Sequence, residues 1–208
     1  MKSLKLAIFA SGRGSNFQAI YQAIEEGKLN ARIQVVISNN ADAGALDFAR
    51  EHQIPALHLS RNQFTNASMF DLELLRVLRE HDVNFIALAG YMKLIRPQII
   101  REFHNRILNI HPALLPSFGG KGMYGHFVHE AVREYGCKVT GVTVHLVDEE
   151  YDHGPIVVQK TVPVYSEDTP EMIANRVLEM EHVAYAEALQ LFAEERVQIQ
   201  GRRTLIRL

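Results

Sequence analysis

Apolar and polar positions in the first hundred residues follow two alternating periods. Residues 6–10, 33–38 and 85–89 are brief apolar runs bounded by turn residues, the pattern of strands buried on both faces. Between them, 16–26, 41–52 and 67–81 carry apolar residues at three- and four-residue spacing, shown best by Phe70, Leu74, Val77 and Leu78. This alternation predicts βαβ units and a parallel sheet with helices on both faces. Residues 107–110 read as a further strand that Pro112, unable to donate to a ladder, brings to an end. Later, 140–147 and 156–164 read as strands joined by the acidic loop 148–154, an antiparallel extension. Asp168-Thr169-Pro170-Glu171 then starts a long helix, with a capping residue and a proline in the first turn. Its face of Ile173, Val177, Met180, Ala184 and Leu191 is expected on the sheet, and 204–208 as a last strand.

Composition narrows the class. The chain has 208 residues, 47% hydrophobic and 22% charged, which suits one soluble domain with a real core, and it shows no internal repeat or interdomain linker. A formal net charge of −2 argues against nucleic acid as a partner. Cys137 is the one cysteine, so an intrachain disulfide is impossible, a cysteine-based zinc site is disfavoured, and the residue reads as a small apolar filler. The N-terminal residues lack the apolar core of a signal peptide, and no run approaches the length of a membrane span. The expectation is a cytoplasmic protein without a membrane partner.

Three segments carry candidate chemistry. Ser11-Gly12-Arg13-Gly14-Ser15-Asn16 joins the first strand to the first helix, where small residues let backbone N–H groups approach an anion. It is neither a P-loop nor a dinucleotide fingerprint, since no Lys-Ser/Thr follows and Phe17 stands where a third glycine belongs. The plain alternative is a tight capped turn. In Asn109-Ile110-His111, period two puts the amide and the imidazole on one strand face. Such a pair can stabilise an oxyanion and move a proton, or it can hold a satisfied core histidine. In 148–155, Asp152 precedes a Gly-Pro pair and can accept from an imidazole, whereas Glu149 and Glu150 fit a solvated loop. His126 and His129 have no acidic or Cys partner nearby to complete a metal site, and His145 reads as structural.

Taken in order, these segments resemble the folate-dependent formyltransferase superfamily, and within it the glycinamide ribonucleotide (GAR) branch. The resemblance runs from about Lys5 to His182. It rests on residues 11–16, on Leu88-Ala-Gly-Tyr-Met-Lys-Leu94, on Asn109-Ile-His-Pro-Ala-Leu-Leu-Pro116, and on Gly141-Val-Thr-Val-His145 with 148–155. It implies a Rossmann-like, mostly parallel sheet flanked by helices. Residues 1–104 would be the ribonucleotide half and 105–208 the catalytic and folate half of one domain. The implied reaction moves the formyl group of 10-formyltetrahydrofolate to the amine of GAR by direct attack, through a tetrahedral oxyanion and without a metal. Asn109 and a protonated His111 would stabilise the oxyanion, and Asp152 would raise the His111 pKa. Gly14, Ser15 and Asn16 would hold the phosphate, and Glu181 the ribose. Met92, Lys93, Leu94, Ile95, Asn109, Asp148 and Glu149 would contact the folate. Residues alone would place Met92 and Leu94 in the core and Glu181 on a solvated helix face.

Three departures from the pattern stand out. Ala113 replaces a frequent serine, and 117–125 is longer and richer in glycine than its counterparts, so contacts from that loop do not transfer; it is expected to order on substrate. Lys93 stands where arginine is frequent. A ligand-contacting arginine of many relatives aligns with Ala67, leaving Arg61 as the nearest candidate. The competing readings are a formyltetrahydrofolate hydrolase and a non-catalytic nucleotide-binding module. Oligomeric state, monomer or homodimer, is left open.

Overall fold

Leu6, Ala7, Ile8 and Phe9 are fully buried in strand β1 (Leu4–Phe9), as four consecutive apolar residues demand. The structure, a computed structural model, describes residues 3–207. After β1 come α1 (Ser15–Glu25), β2 (Ala31–Ser38), α2 (Gly44–Glu51), β3 (Ala56–His58), α3 (Ala67–Glu80), β4 (Phe85–Leu88), α4 (Pro97–Glu102) and β5 (Ile107–His111). The second half continues with α5 (His126–Glu134), β6 (Val139–Leu146), β7 (Ile156–Pro163), α6 (Pro170–Ala193), β8 (Val197–Gln200) and β9 (Arg203–Ile206). Seven strands form one sheet in the order β3-β2-β1-β4-β5-β6-β7. The chain divides into two compact units, the first ending at Leu108 and the second beginning at Asn109.

In the first unit β1 pairs in parallel with β2 and β4, and β2 with β3. The apolar stripe of α3 is buried as its spacing requires, with Phe70, Leu74, Val77 and Leu78 all inside. Asn66 caps that helix by accepting from Met69 N–H at 2.9 Å. Two elements here have no counterpart in the sequence reading. β3 has three residues and α4 six, too few for either period to register.

In the second unit β6 and β7 pair antiparallel, the expected extension. α6 packs on both strands, burying Ile173, Val177, Ala184 and Leu191, with Met180 half-buried. Its cap is Thr169, whose hydroxyl accepts from Met172 N–H at 3.3 Å, and Pro170 opens the first turn. Asp168 serves differently: it is buried and takes both arms of Arg176 at 2.8 and 2.9 Å, which holds its carboxyl down to about 2. The tail forms the expected last strand: Arg203–Ile206 folds back on Val197–Gln200 to make a separate antiparallel pair. Val197 and Ile199 alternate with Gln198 and Gln200, a strand pattern the sequence reading missed. Residue 208 lies outside the described residues. No helix among the described residues is long and apolar enough to cross a membrane.

Candidate active site

β5 ends in Asn109, Ile110 and His111, and the strand's period of two gives Asn109 and His111 a common face. The backbone that follows is held from the side. The Thr143 hydroxyl on β6 donates to Ala113 C=O at 2.7 Å and accepts Leu115 N–H at 3.0 Å. Gln159 on β7 donates to the same hydroxyl and to Leu115 C=O, both at 3.0 Å. All the bonding capacity of the Thr143 hydroxyl is thereby used, and the exit from β5 is fixed by side chains of β6 and β7.

Asp152 sits in the loop between β6 and β7 with a left-handed backbone (φ 53°). Gly154 lets that loop close, because a Cβ there would stand 1.8 Å from Leu146 O. The Asp152 carboxylate then lies 3.4 Å from Asn109 Nδ2, 3.5 Å from His111 Nδ1 and 3.7 Å from His145 Nε2, and it accepts Gly120 N–H at 2.9 Å. Asn109, His111 and Asp152 are thus brought together, and His145 joins them. His145 was read as structural, although Thr143 and His145 repeat on β6 the same two-residue spacing as Asn109 and His111. The glycine-rich loop also reaches the cluster, through Gly120 N–H and through Phe118 C=O, which lies 2.8 Å from His111 Nε2.

Hydrogen-bond chemistry fixes the protons. A carbonyl only accepts, so His111 Nε2 carries hydrogen toward Phe118, and His145 Nδ1 carries it toward Leu146 C=O at 2.8 Å. His145 Nε2 lies between two partners, 3.1 Å from Asn109 Nδ2 and 3.7 Å from the Asp152 carboxylate. An Asn109 N–H faces Asp152, and the remaining nitrogen of His111, Nδ1, is the one left to gain or lose a proton. Burial pushes the His111 imidazole below its ordinary pKa, against the opposing pull of the Asp152 carboxylate and the Phe118 carbonyl. The expected upward pull of Asp152 is there, but desolvation is larger and the net shift is downward. Burial opposes charge on Asp152 too, yet His145, His111 and Gly120 N–H outweigh it, and the carboxyl stays below its usual range. The resting pair is a carboxylate beside a neutral imidazole.

On α5, His129 is buried, with Nδ1 unpartnered among the described residues. Burial first, then His111 and His126, push its imidazole down to about 4. The spacing of His126 and His129 is that of neighbours on a helix face. Among the described residues no group of three His, Cys, Asp or Glu side chains is placed to hold a metal ion.

In the first unit, the loop after β1 turns into α1 at Gly14, which is left-handed (φ 78°) and packs so closely that a Cβ would come within 2.8 Å of Ala45 Cβ. No side chain caps α1, so the positive end of the helix dipole lies at this turn. A concavity of about 580 Å³ lies alongside, between Gly12 and Arg13 on one side and Asn39, Asn40 and Gly44 on the other. Asn16 is buried. Met92 and Leu94 are not core: they are 51% and 44% exposed, with Lys93 exposed between them and Ile95 buried behind. Arg61 is exposed in a single 3-10 turn and donates to Phe64 C=O at 2.8 Å. In the second unit Glu181 is buried on α6 rather than solvated. Asp148 and Glu149 share the loop of Asp152, and Asp148 accepts from His153 at 2.6 Å.

The formyl transferase family matches residues 4–189, and the chain belongs to that family. A chloroplastic phosphoribosylglycinamide formyltransferase of Arabidopsis thaliana is 45% identical over 93% of the chain, which spans 66% of that relative's length, just under two thirds. The phosphoribosylglycinamide formyltransferase of Haemophilus influenzae is 38% identical, covering 94% of this chain and 90% of its own. Among solved structures, glycinamide ribonucleotide transformylase 1 of Symbiobacterium toebii superposes with a TM-score of 0.92 at 42% identity, covering 98% and 94% of the two chains.

Proposed function

We propose that this protein transfers the formyl group of 10-formyltetrahydrofolate to the amine of glycinamide ribonucleotide, in the cytoplasm and in purine biosynthesis. The observation that carries this reading is the grouping of His111 Nδ1, 3.5 Å from the Asp152 carboxylate, with the Asn109 amide on the same strand face. The folate, when bound, supplies an activated formyl carbon. Its flat ring suits the half-exposed Met92 and Leu94, with Ile95 behind them and the backbone near Asp148 and Glu149 as polar contacts. The substrate phosphate suits the uncapped start of α1 at Gly14, Ser15 and Asn16, and Glu181 suits the ribose hydroxyls.

Each side chain then has one task. As the amine adds to the formyl carbon, His111 takes the amine's proton at Nδ1 and becomes a cation held by Asp152. That imidazolium and one Asn109 N–H face the carbonyl oxygen on which charge develops. The Asn109 contact with Asp152, 3.4 Å long, is the weaker of its two and is the one released. His111 finally returns the proton to the departing folate nitrogen, ending neutral as it began. A depressed resting pKa fits this cycle, because the imidazole has to start empty.

Following deformylation of 10-formyltetrahydrofolate with and without glycinamide ribonucleotide tests the assignment. Turnover that depends on the amine is expected. Turnover to water alone would make the protein a hydrolase, and none under either condition would leave a binding module.

A further inference from the structure

Ser11 uses every hydrogen-bonding group it has, and each goes to a different residue of the first unit. Its N–H donates to Gly90 C=O at 3.0 Å, and its own C=O accepts from Asn40 Nδ2 at 2.6 Å. Its hydroxyl donates to Asn39 Oδ1 at 2.5 Å and accepts the backbone N–H of Met92 at 2.8 Å. Asn39 Nδ2 in turn donates to Asn40 Oδ1 at 2.8 Å, and Asn40 N–H to Ser38 Oγ at 3.1 Å. The side chain is 8% exposed, so water does not readily replace these partners.

The position of this network gives it a functional meaning. Ser11 immediately precedes the turn that leads into α1, and Met92 opens the half-exposed segment that continues to Ile95. One hydroxyl therefore ties the loop read as the phosphate site to the segment read as the folate site. We propose that Ser11 is a positioning residue that holds these two segments in one frame, so that loss of its hydroxyl weakens both substrates together. The proposal rests on the formyl-transfer reading above.

Alanine at this position strands two polar groups at once, Met92 N–H and Asn39 Oδ1, and lets both segments relax. Steady-state kinetics of Ser11→Ala is expected to raise KM for glycinamide ribonucleotide and for 10-formyltetrahydrofolate each by about five- to tenfold, the scale of one lost buried hydrogen bond. The kcat should stay within about threefold of wild type. Ser11→Thr, which keeps the hydroxyl, should bring both KM values back to within about twofold. A serine that only stabilised the fold would lower the amount of active enzyme, hence kcat, and move neither KM. Should Ser11→Ala fail to fold, Asn39→Ala, which removes the acceptor of the Ser11 hydroxyl together with the donor to Asn40 but leaves the Ser11–Met92 bond, should raise both KM values about threefold. A rise in one KM only, a rise in neither, or a threonine variant as impaired as alanine overturns the proposal while leaving formyl transfer intact. A wild-type enzyme without amine-dependent turnover overturns the formyl-transfer reading, and the Ser11 proposal with it.

Discussion

The polar network around Ser11 in the first unit is joined by short side-chain bonds, whereas in the second the side chains around Asp152 stand near its carboxylate without a short bond to it. Ser11, Asn39 and Asn40 are joined by side-chain bonds of 2.5 to 2.8 Å, and none of them titrates. Around Asp152 the separations from Asn109, His111 and His145 stretch from 3.4 to 3.7 Å, and three of the four side chains titrate. The difference follows the task proposed for each. A group whose charge is constant through a reaction, such as a phosphate, is best met by a fixed surface. A site that passes a proton must let each partner be exchanged, and near-contacts permit this at little cost.

The sharpest way to break this comparison is to remove the exchangeable groups. His111→Ala and Asp152→Asn are each expected to lower kcat by at least about 100-fold, the scale of a positioned acid–base group. Asp152→Asn carries a second signature. The carboxylate pulls the His111 pKa upward against burial, so its removal lets the value fall further. The acid limb of kcat/KM should therefore move to lower pH in whatever activity the variant retains. A variant with near-normal turnover would remove that residue from the site.

A second test asks whether the second unit is also the acid-labile one. His129, pushed down to about 4, binds its proton in the unfolded chain before it does so in the folded one. Stability from this group is intact above about 6.5 and is lost as pH falls from there toward 4, by up to about 3 kcal/mol. Denaturant melts across that range should show the loss in wild type and a shallower slope in His129→Gln. Equal slopes would mean that the buried imidazole is already protonated in the folded chain.

Much of this architecture was legible in the sequence, for reasons that also explain the omissions. β1 and α3 declared themselves because burial on two faces and on one stripe leave different periods. β3 and α4 were too short to carry a period, and β8 was missed in front of the tail strand it pairs with. Asn109 and His111 could be paired because a strand fixes which side chains share a face. Their meeting with Asp152 could not, since 43 residues separate Asn109 from Asp152 and only tertiary packing joins them. The contributions of Phe118, Gly120 and Ala113 are backbone groups, which residue identity does not reveal. His145 was set aside because nothing in β6 alone says that its face meets β5. Met92 and Leu94 would pass for core until their exposure is known.

The smallest effect is expected at the far end of the chain, beyond the part that matches the family. Arg202, in the turn between β8 and β9, donates to His153 C=O at 2.7 Å and approaches His153 Nε2 at 2.5 Å. A guanidinium only donates, so Nε2 accepts and the ring proton sits on Nδ1, from which it reaches Asp148 at 2.6 Å. This chain of three residues grips the acidic loop on both sides of Asp152 and so should narrow the positions its carboxylate samples. All three groups are solvent-accessible, which limits the gain to under about 1 kcal/mol. Arg202→Ala should therefore lower kcat by about threefold with KM for glycinamide ribonucleotide unchanged. Wild type assayed near 1 M salt, where screening acts over about 3 Å, should approach the variant. A variant with full kcat at low salt would show that the loop holds Asp152 without the hairpin. Then the looseness around Asp152 would be a property of the β6–β7 turn alone.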